Sequence, residues 1–127
     1  MSYVKIVGHG IDIVEVGRFA ELCKNQRYVQ RCFTHLEQVH SKNQPDRLAA
    51  RFAAKEAVLK ALHIGLANGV SLKDVEIGFS ESGAPEVRLS GSLVEIAGEL
   101  KISEWHLSFS HGLDYAVASV IACSSEP

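Results

Sequence analysis

The stretch Arg51-Phe-Ala-Ala-Lys-Glu-Ala-Val-Leu-Lys60 has the alanine-rich look of a helix, yet four of its ten residues are charged. Leu48, Phe52, Leu59 and Leu62 recur at i, i+4, i+11 and i+14, which is one apolar stripe of a 3.6-residue helix. At 100° per residue, Lys55 lies about 20° to one side of that stripe and Glu56 about 80° to the other. Neither belongs to a solvent face. Arg51 and Lys55 are four residues apart, as are Glu56 and Lys60, so each pair can share a ligand or a partner. Two readings follow. In one, Glu56 pairs with Lys60 and Lys55 reaches water along its methylenes. In the other, the helix borders a cleft and offers a carboxylate to a cation and ammonium groups to an anion.

The rest of the chain sets this helix in an α+β context. Val4 to Ile11 alternates as a strand, with Val4, Ile6, Gly8 and Gly10 on one face and Val7, His9 and Ile11 on the other. From Ile13 the period becomes helical, through Val16, Phe19, Ala20 and Cys23, to about Lys24. Thr34-His-Leu-Glu37 is a capping box for a short helix ending near Lys42. Asn43-Gln-Pro-Asp46 is a turn, with Asp46 as N-cap of the long helix from Arg47 to about His63. Val75–Phe79 and Glu86–Leu89 read as strands, Ser92–Lys101 as a helix, and Trp105–Ser110 with Tyr115–Ala122 as a last hairpin. The order β-α-α-α-β-β-α-β-β predicts a mainly antiparallel sheet packed against the long helix, in one domain over residues 1–127.

Composition narrows the class of function. Charged residues are 22% and apolar ones 46%, ordinary for a globular protein, and the net charge of −2 gives no overall attraction to nucleic acid. The apolar runs are too short for a membrane span, and the start MSYVKIVG lacks a signal-peptide pattern, so a cytoplasmic protein is expected. Cys23, Cys32 and Cys123 are odd in number and form no C-x-x-C pair, which suggests reduced thiols and neither a disulfide framework nor a thiolate zinc site.

Three groups of residues can carry chemistry. In Gly8-His-Gly-Ile-Asp12 two glycines leave one strand face without side chains, so another group can approach the backbone just before Asp12. Asp12-Ile-Val-Glu15 also has capping-box spacing, which would make Asp12 a helix N-cap; that role and metal ligation are compatible. Asp12 with a second carboxylate such as Glu56 is the sparse oxygen set magnesium accepts when phosphate and water complete its shell, while Arg51, Lys55 and Lys60 suit phosphates. His111 ends a strand whose alternate residues Leu107 and Phe109 are apolar, so its ring shares their side of the sheet. There is no G-x-x-x-x-G-K-[ST] loop, no G-x-S-x-G elbow and no zinc-ligand spacing of histidines.

Gly8-His-Gly-Ile-Asp-Ile-Val-Glu-Val-Gly-Arg18 resembles the pattern G-x-G-x-D-I-x-E-hydrophobic-x-R, and Arg51–Ala61 resembles R-F-A-x-K-E-A-x-x-K-A. Ser108-Phe-Ser-His111 followed by Tyr115-Ala116 is similar to S-h-[ST]-H…[YF]-A. All three are patterns of the holo-acyl-carrier-protein synthases, the small bacterial class of 4′-phosphopantetheinyl transferases, and the resemblance runs from about Tyr3 to Ala122. It implies magnesium-dependent transfer of the phosphopantetheine arm of coenzyme A to a serine of apo-acyl carrier protein, releasing 3′,5′-ADP, in fatty acid biosynthesis. Position by position, it implies Asp12 and Glu56 as magnesium ligands, with Glu56, Lys60 and His111 as catalytic residues. Arg51, Lys55, Lys60 and His111 would bind coenzyme A, with His111 either base or phosphate ligand. Arg18 would meet the acidic carrier protein, joined by Lys24 and Arg27. The resemblance further implies a homotrimer with sites between subunits.

Two positions depart from the family pattern. His63 stands where F-G-T-G would place a glycine, and Ala84 replaces the lysine of a G-K-P turn. Without the resemblance, the residues also allow a hot-dog-like domain acting on acyl-coenzyme A thioesters, or a non-enzymatic module that docks acidic partners through its first helix.

Overall fold

Strand β1 runs over Lys5–Glu15 and carries straight through Asp12, so the capping-box reading of Asp12-Ile-Val-Glu15 does not hold. Asp12 sits in the ladder opposite Ala118, and the first helix begins only at Val16. A register shift between Ile6 and Gly8 turns Ile6 to the face opposite the glycines, contrary to simple alternation. The computed structural model describes residues 3–65 and 69–125.

After β1 come α1 (Val16–Cys23), α2 (Gln26–Cys32), α3 (His35–Ser41) and α4 (Pro45–Ala61), then β2 (Val75–Phe79), β3 (Pro85–Leu89), α5 (Ser92–Glu99), β4 (Glu104–His111) and β5 (Tyr115–Ser124). The α+β class and the antiparallel pairing agree with the sequence reading. One helix more is present. Helix α2 is started by Asn25, whose side chain accepts from the Arg27 and Tyr28 amides. The capping box of α3 forms as expected, with Thr34 accepting from Glu37 N and Glu37 returning a carboxylate to Thr34 N. Helix α4 starts at Pro45 with Gln44 as N-cap, so Asp46 lies in the first turn and not at the cap. The strands divide into a three-stranded sheet, β1-β5-β4, and the separate hairpin β2-β3.

Helix α4 is covered on two opposite faces. Ala53, Ala57 and Ala61, spaced four apart and fully buried, lie on β1. There the glycine face serves packing: a Cβ on Gly10 would stand 1.8 Å from the Ala57 carbonyl oxygen, and one on Gly8 2.1 Å from that of Ala61. The group that approaches the backbone before Asp12 is the helix itself. The stripe Leu48, Phe52, Leu59 and Leu62 turns the other way, towards the remaining helices and β2, with Phe52 4.9 Å from Phe19 between ring centroids. Only the two flanks of α4, between these layers, remain for side chains that must reach solvent.

Candidate active site

The first flank looks onto the edge strand β1. Register places Asp12, Ala118 and Phe109 in one row across the sheet face that carries α4. Glu56 and Lys60 project from α4 toward Asp12. The expected Glu56–Lys60 pair is absent: Lys60 Nζ donates instead to Asp12 Oδ1 and to the Ile11 carbonyl, each at 2.9 Å. Burial pushes the Glu56 carboxyl above the usual carboxylate range, the Asp12 charge adds to this, and Lys60 opposes it. Two carboxylates that repel each other, balanced by one half-exposed ammonium, form a site short of positive charge. That donor set fits a hard divalent cation with open positions for phosphate and water. Among the described residues no third His, Cys, Asp or Glu joins them.

The second flank looks onto β4. Here Arg51, His111, Phe109, Arg47, His40 and Ser110 line a pocket of about 350 Å³. His111, at the end of β4, faces Asp46 Oδ2 with Nδ1 at 3.6 Å, while Asp46 Oδ1 accepts from the Arg47 amide. The Arg51 guanidinium is buried, lies over the rings of Phe79 and Phe109 and donates through Nη1 to the Arg47 carbonyl. Arg51 and His111 therefore share a pocket, as a common ligand requires. Arg47 and His40 escaped the sequence reading; the i, i+4 spacing of Arg47 to Arg51 was a signal for the first, and His40 had none.

Lys55 belongs to neither flank. Its side chain is 0% exposed, 2.6 Å from the equally buried Glu37, and Nζ also donates to the carbonyls of Cys32 and Leu72. An ammonium has three donors, and all three are used inside the core. Lys55 is thus a structural cation that ties α4 to α2 and α3, which corrects its expected place among the coenzyme A contacts and excludes a reach to water. Glu37 completes the tie by accepting from the Ile77 amide of β2.

The basic residues near the N-terminus, Arg18, Lys24 and Arg27, are exposed and are spread over two helices. Arg18 is on α1, Lys24 caps the end of α1 and pairs with Glu21 at 3.0 Å, and Arg27 is on α2. Arg31, one turn after Arg27, lines a surface hollow with Asn25, Arg27 and Gln30. His63 adopts φ 60° just past the end of α4, the left-handed conformation for which glycine is the usual residue.

A family profile described as the 4′-phosphopantetheinyl transferase superfamily matches residues 8–120 of this chain. The chain belongs to the 4′-phosphopantetheinyl transferase superfamily. Among its relatives is a holo-[acyl-carrier-protein] synthase of Hydrogenovibrio crunogenus, 43% identical over 92% of this chain and 96% of the relative. Of the solved transferase structures, the holo-[acyl-carrier-protein] synthase of Helicobacter pylori in complex with coenzyme A superposes with a TM-score of 0.80 at 32% identity, covering 90% of this chain and 98% of that one. An acyl carrier protein synthase of Plasmodium yoelii with ADP bound gives a TM-score of 0.86 at 29% identity, covering 98% and 99%. In this transferase the two family-like motifs meet in space: β1 supplies Asp12, α4 supplies Glu56 and Lys60, and the glycine–alanine contact sets the distance between them.

Proposed function

We propose that Asp12 and Glu56 hold a magnesium ion for the reaction of this chain, the transfer of the 4′-phosphopantetheine group of coenzyme A to a serine of apo-acyl carrier protein, giving holo-acyl carrier protein and 3′,5′-ADP. The observation that carries the reading is the convergence of these carboxylates with Lys60 on the edge of the sheet. Bound magnesium would neutralise charge on the diphosphate as the bond to the departing 3′,5′-ADP breaks. Lys60, half-exposed, is free to leave Asp12 for a phosphate oxygen. Arg51 and His111 bind the nucleotide end of the donor through their shared pocket. Arg18 and Arg27, with Lys24, give the cationic face for the acidic carrier. The setting is the cytoplasm, and residues 1–127 act as one transferase domain in fatty acid biosynthesis.

The two flanks support an assembly. They lie on opposite sides of α4, and the register row Asp12–Ala118–Phe109 separates them by about 10 Å, two strand spacings. One donor reaches both most simply if the Asp12 flank of one subunit faces the His111 flank of the next. The outer face of the three-stranded sheet carries Ile11 and Ile13 of β1 at 62% and 64% exposure, beside Val117 and Tyr115 of β5. Contiguous apolar surface of that kind favours burial against another chain. A homotrimer closes such head-to-tail contacts.

Subunit mixing tests this reading. Asp12→Asn and His111→Ala are each expected to be inactive as pure trimers, and unfolding and refolding them together should restore part of the transfer activity, because some interfaces then receive both intact halves. No recovery in mixtures shown to contain both chains would place the complete site within one subunit.

A further inference from the structure

Helix α4 carries two lysines five residues apart, and the fold uses them in opposite ways. Lys55 commits its ammonium to Glu37 and two carbonyls inside the core and is fixed there. Lys60 makes two contacts, to Asp12 Oδ1 and to the Ile11 carbonyl, each at 2.9 Å, and its side chain is 51% exposed against 17% for Asp12. Its reach is set by the backbone. Ala57 and Ala61, on either side of Lys60, lie so close to Gly10 and Gly8 that neither glycine could carry a Cβ. A pair that open to water contributes little to stability, so this ammonium can leave its partner without disturbing the fold.

The same ammonium is the positive charge that both carboxylates of the site feel. It is bonded to Asp12, and it opposes the rise that burial and the Asp12 charge impose on Glu56. A magnesium ion held by Asp12 would stand about 2.0–2.1 Å from a carboxylate oxygen. Two cations on one carboxylate repel each other, and the carboxylate favours the one with the higher charge once the other has somewhere to go. We infer that Lys60 is a stand-in cation: it and the divalent ion are alternative partners of Asp12, and a phosphate of the donor decides between them by drawing Lys60 away. The inference rests on the metal site and the donor proposed above. Moving Lys60 onto a phosphate uncovers Asp12 for the metal, so metal and donor load together. Linkage makes this reciprocal: magnesium tightens coenzyme A by the factor with which coenzyme A tightens magnesium. Direct contact between metal and diphosphate adds to that factor, and the share due to Lys60 is what its removal takes away.

The test is calorimetric binding of magnesium to the wild type, Lys60→Met and Lys60→Arg, with and without coenzyme A and with no carrier protein present. Without coenzyme A, Lys60→Met should bind magnesium about tenfold more tightly than the wild type, the equivalent of one charge-assisted contact that no longer has to be broken. With coenzyme A bound the two should agree, so the coupling between donor and metal falls about tenfold in the variant. Lys60→Arg keeps a cation on Asp12 and should behave as the wild type does. In chelator Lys60→Met should melt below the wild type, and saturating magnesium should close the gap. Equal tightening with and without coenzyme A would mean that ammonium and metal share Asp12, and unchanged magnesium affinity would mean that they do not compete; either result overturns the exchange. A melting gap that magnesium leaves untouched would make Lys60 a structural strut and overturn it as well. A wild type that binds no magnesium even with coenzyme A would overturn the metal site at Asp12 and Glu56 itself, and the exchange with it.

Discussion

Lys60 passes over Glu56, its neighbour one turn back on α4, and reaches Asp12 of β1, with Nζ 2.9 Å from Oδ1. Glu56 therefore bears both burial and the charge of Asp12 with only distant compensation, and its carboxyl is raised. A carboxyl raised in the folded state keeps its proton at a pH where the unfolded chain has lost it. Ionising it therefore weakens the fold as pH climbs through the window between the two.

Glu56→Gln removes that penalty. In chelator at neutral pH the variant is expected to melt above the wild type, and the gap should close as pH falls through the carboxylate range. Added magnesium should raise the melting temperature of the wild type and leave the variant unmoved, since only binding to the folded state stabilises. Melting curves at several pH values, with and without magnesium, check both. A variant that melts lower than the wild type in chelator would mean that Glu56 is a structural partner.

Lys55→Met addresses the fold and not the ligand. It strands the Glu37 carboxylate in the core, and breaking one half of a buried pair is expected to destabilise by about 3–5 kcal/mol. Urea titration measures this. The fraction that remains folded should bind coenzyme A as tightly as the wild type does; a large loss of affinity with little loss of stability would return Lys55 to the site.

His63→Gly tests the departure at the end of α4. The amides of His63 and Ile64 bond back to Lys60 and Leu59, the double closure that requires a left-handed residue at His63. Glycine relieves the backbone strain but adds freedom to the unfolded chain, so a net gain of about 0.5–1 kcal/mol is expected. Thermal unfolding would record it as a higher midpoint. An unchanged or lower midpoint would mean that the imidazole makes a compensating contact.

Arg18→Glu probes the carrier face. Rim charges act mainly on association rates, so the variant should slow carrier-protein binding, and added salt should narrow its difference from the wild type. Stopped-flow association at two ionic strengths separates this from an altered affinity for coenzyme A, which would point to a misassigned face.

What the sequence made legible were the features set by local chemistry. The Thr34 capping box, the stripe of α4 and the last hairpin are each written within a few residues. Asp12, Glu56 and Lys60 stood out because charges on apolar patterns need a reason. Three features were hidden for physical causes. Asp12-Ile-Val-Glu15 has the spacing of a helix start, yet its pairing with β5, far along the chain, keeps it extended. Lys55 looked free because Glu37, which neutralises it, lies on another helix. The pocket on the β4 flank joins α3, α4 and β4, so His40 and Arg47 acquire their neighbours only in the tertiary structure.

The most direct measurement of the central claim is the intact mass of apo-acyl carrier protein incubated with coenzyme A and this chain, with magnesium or with chelator. The expected result is a carrier heavier by one phosphopantetheine group with magnesium, and unchanged carrier in chelator or with Asp12→Asn. Equal modification in chelator would contradict the metal site at Asp12 and Glu56, and unmodified carrier under every condition would contradict the transfer itself.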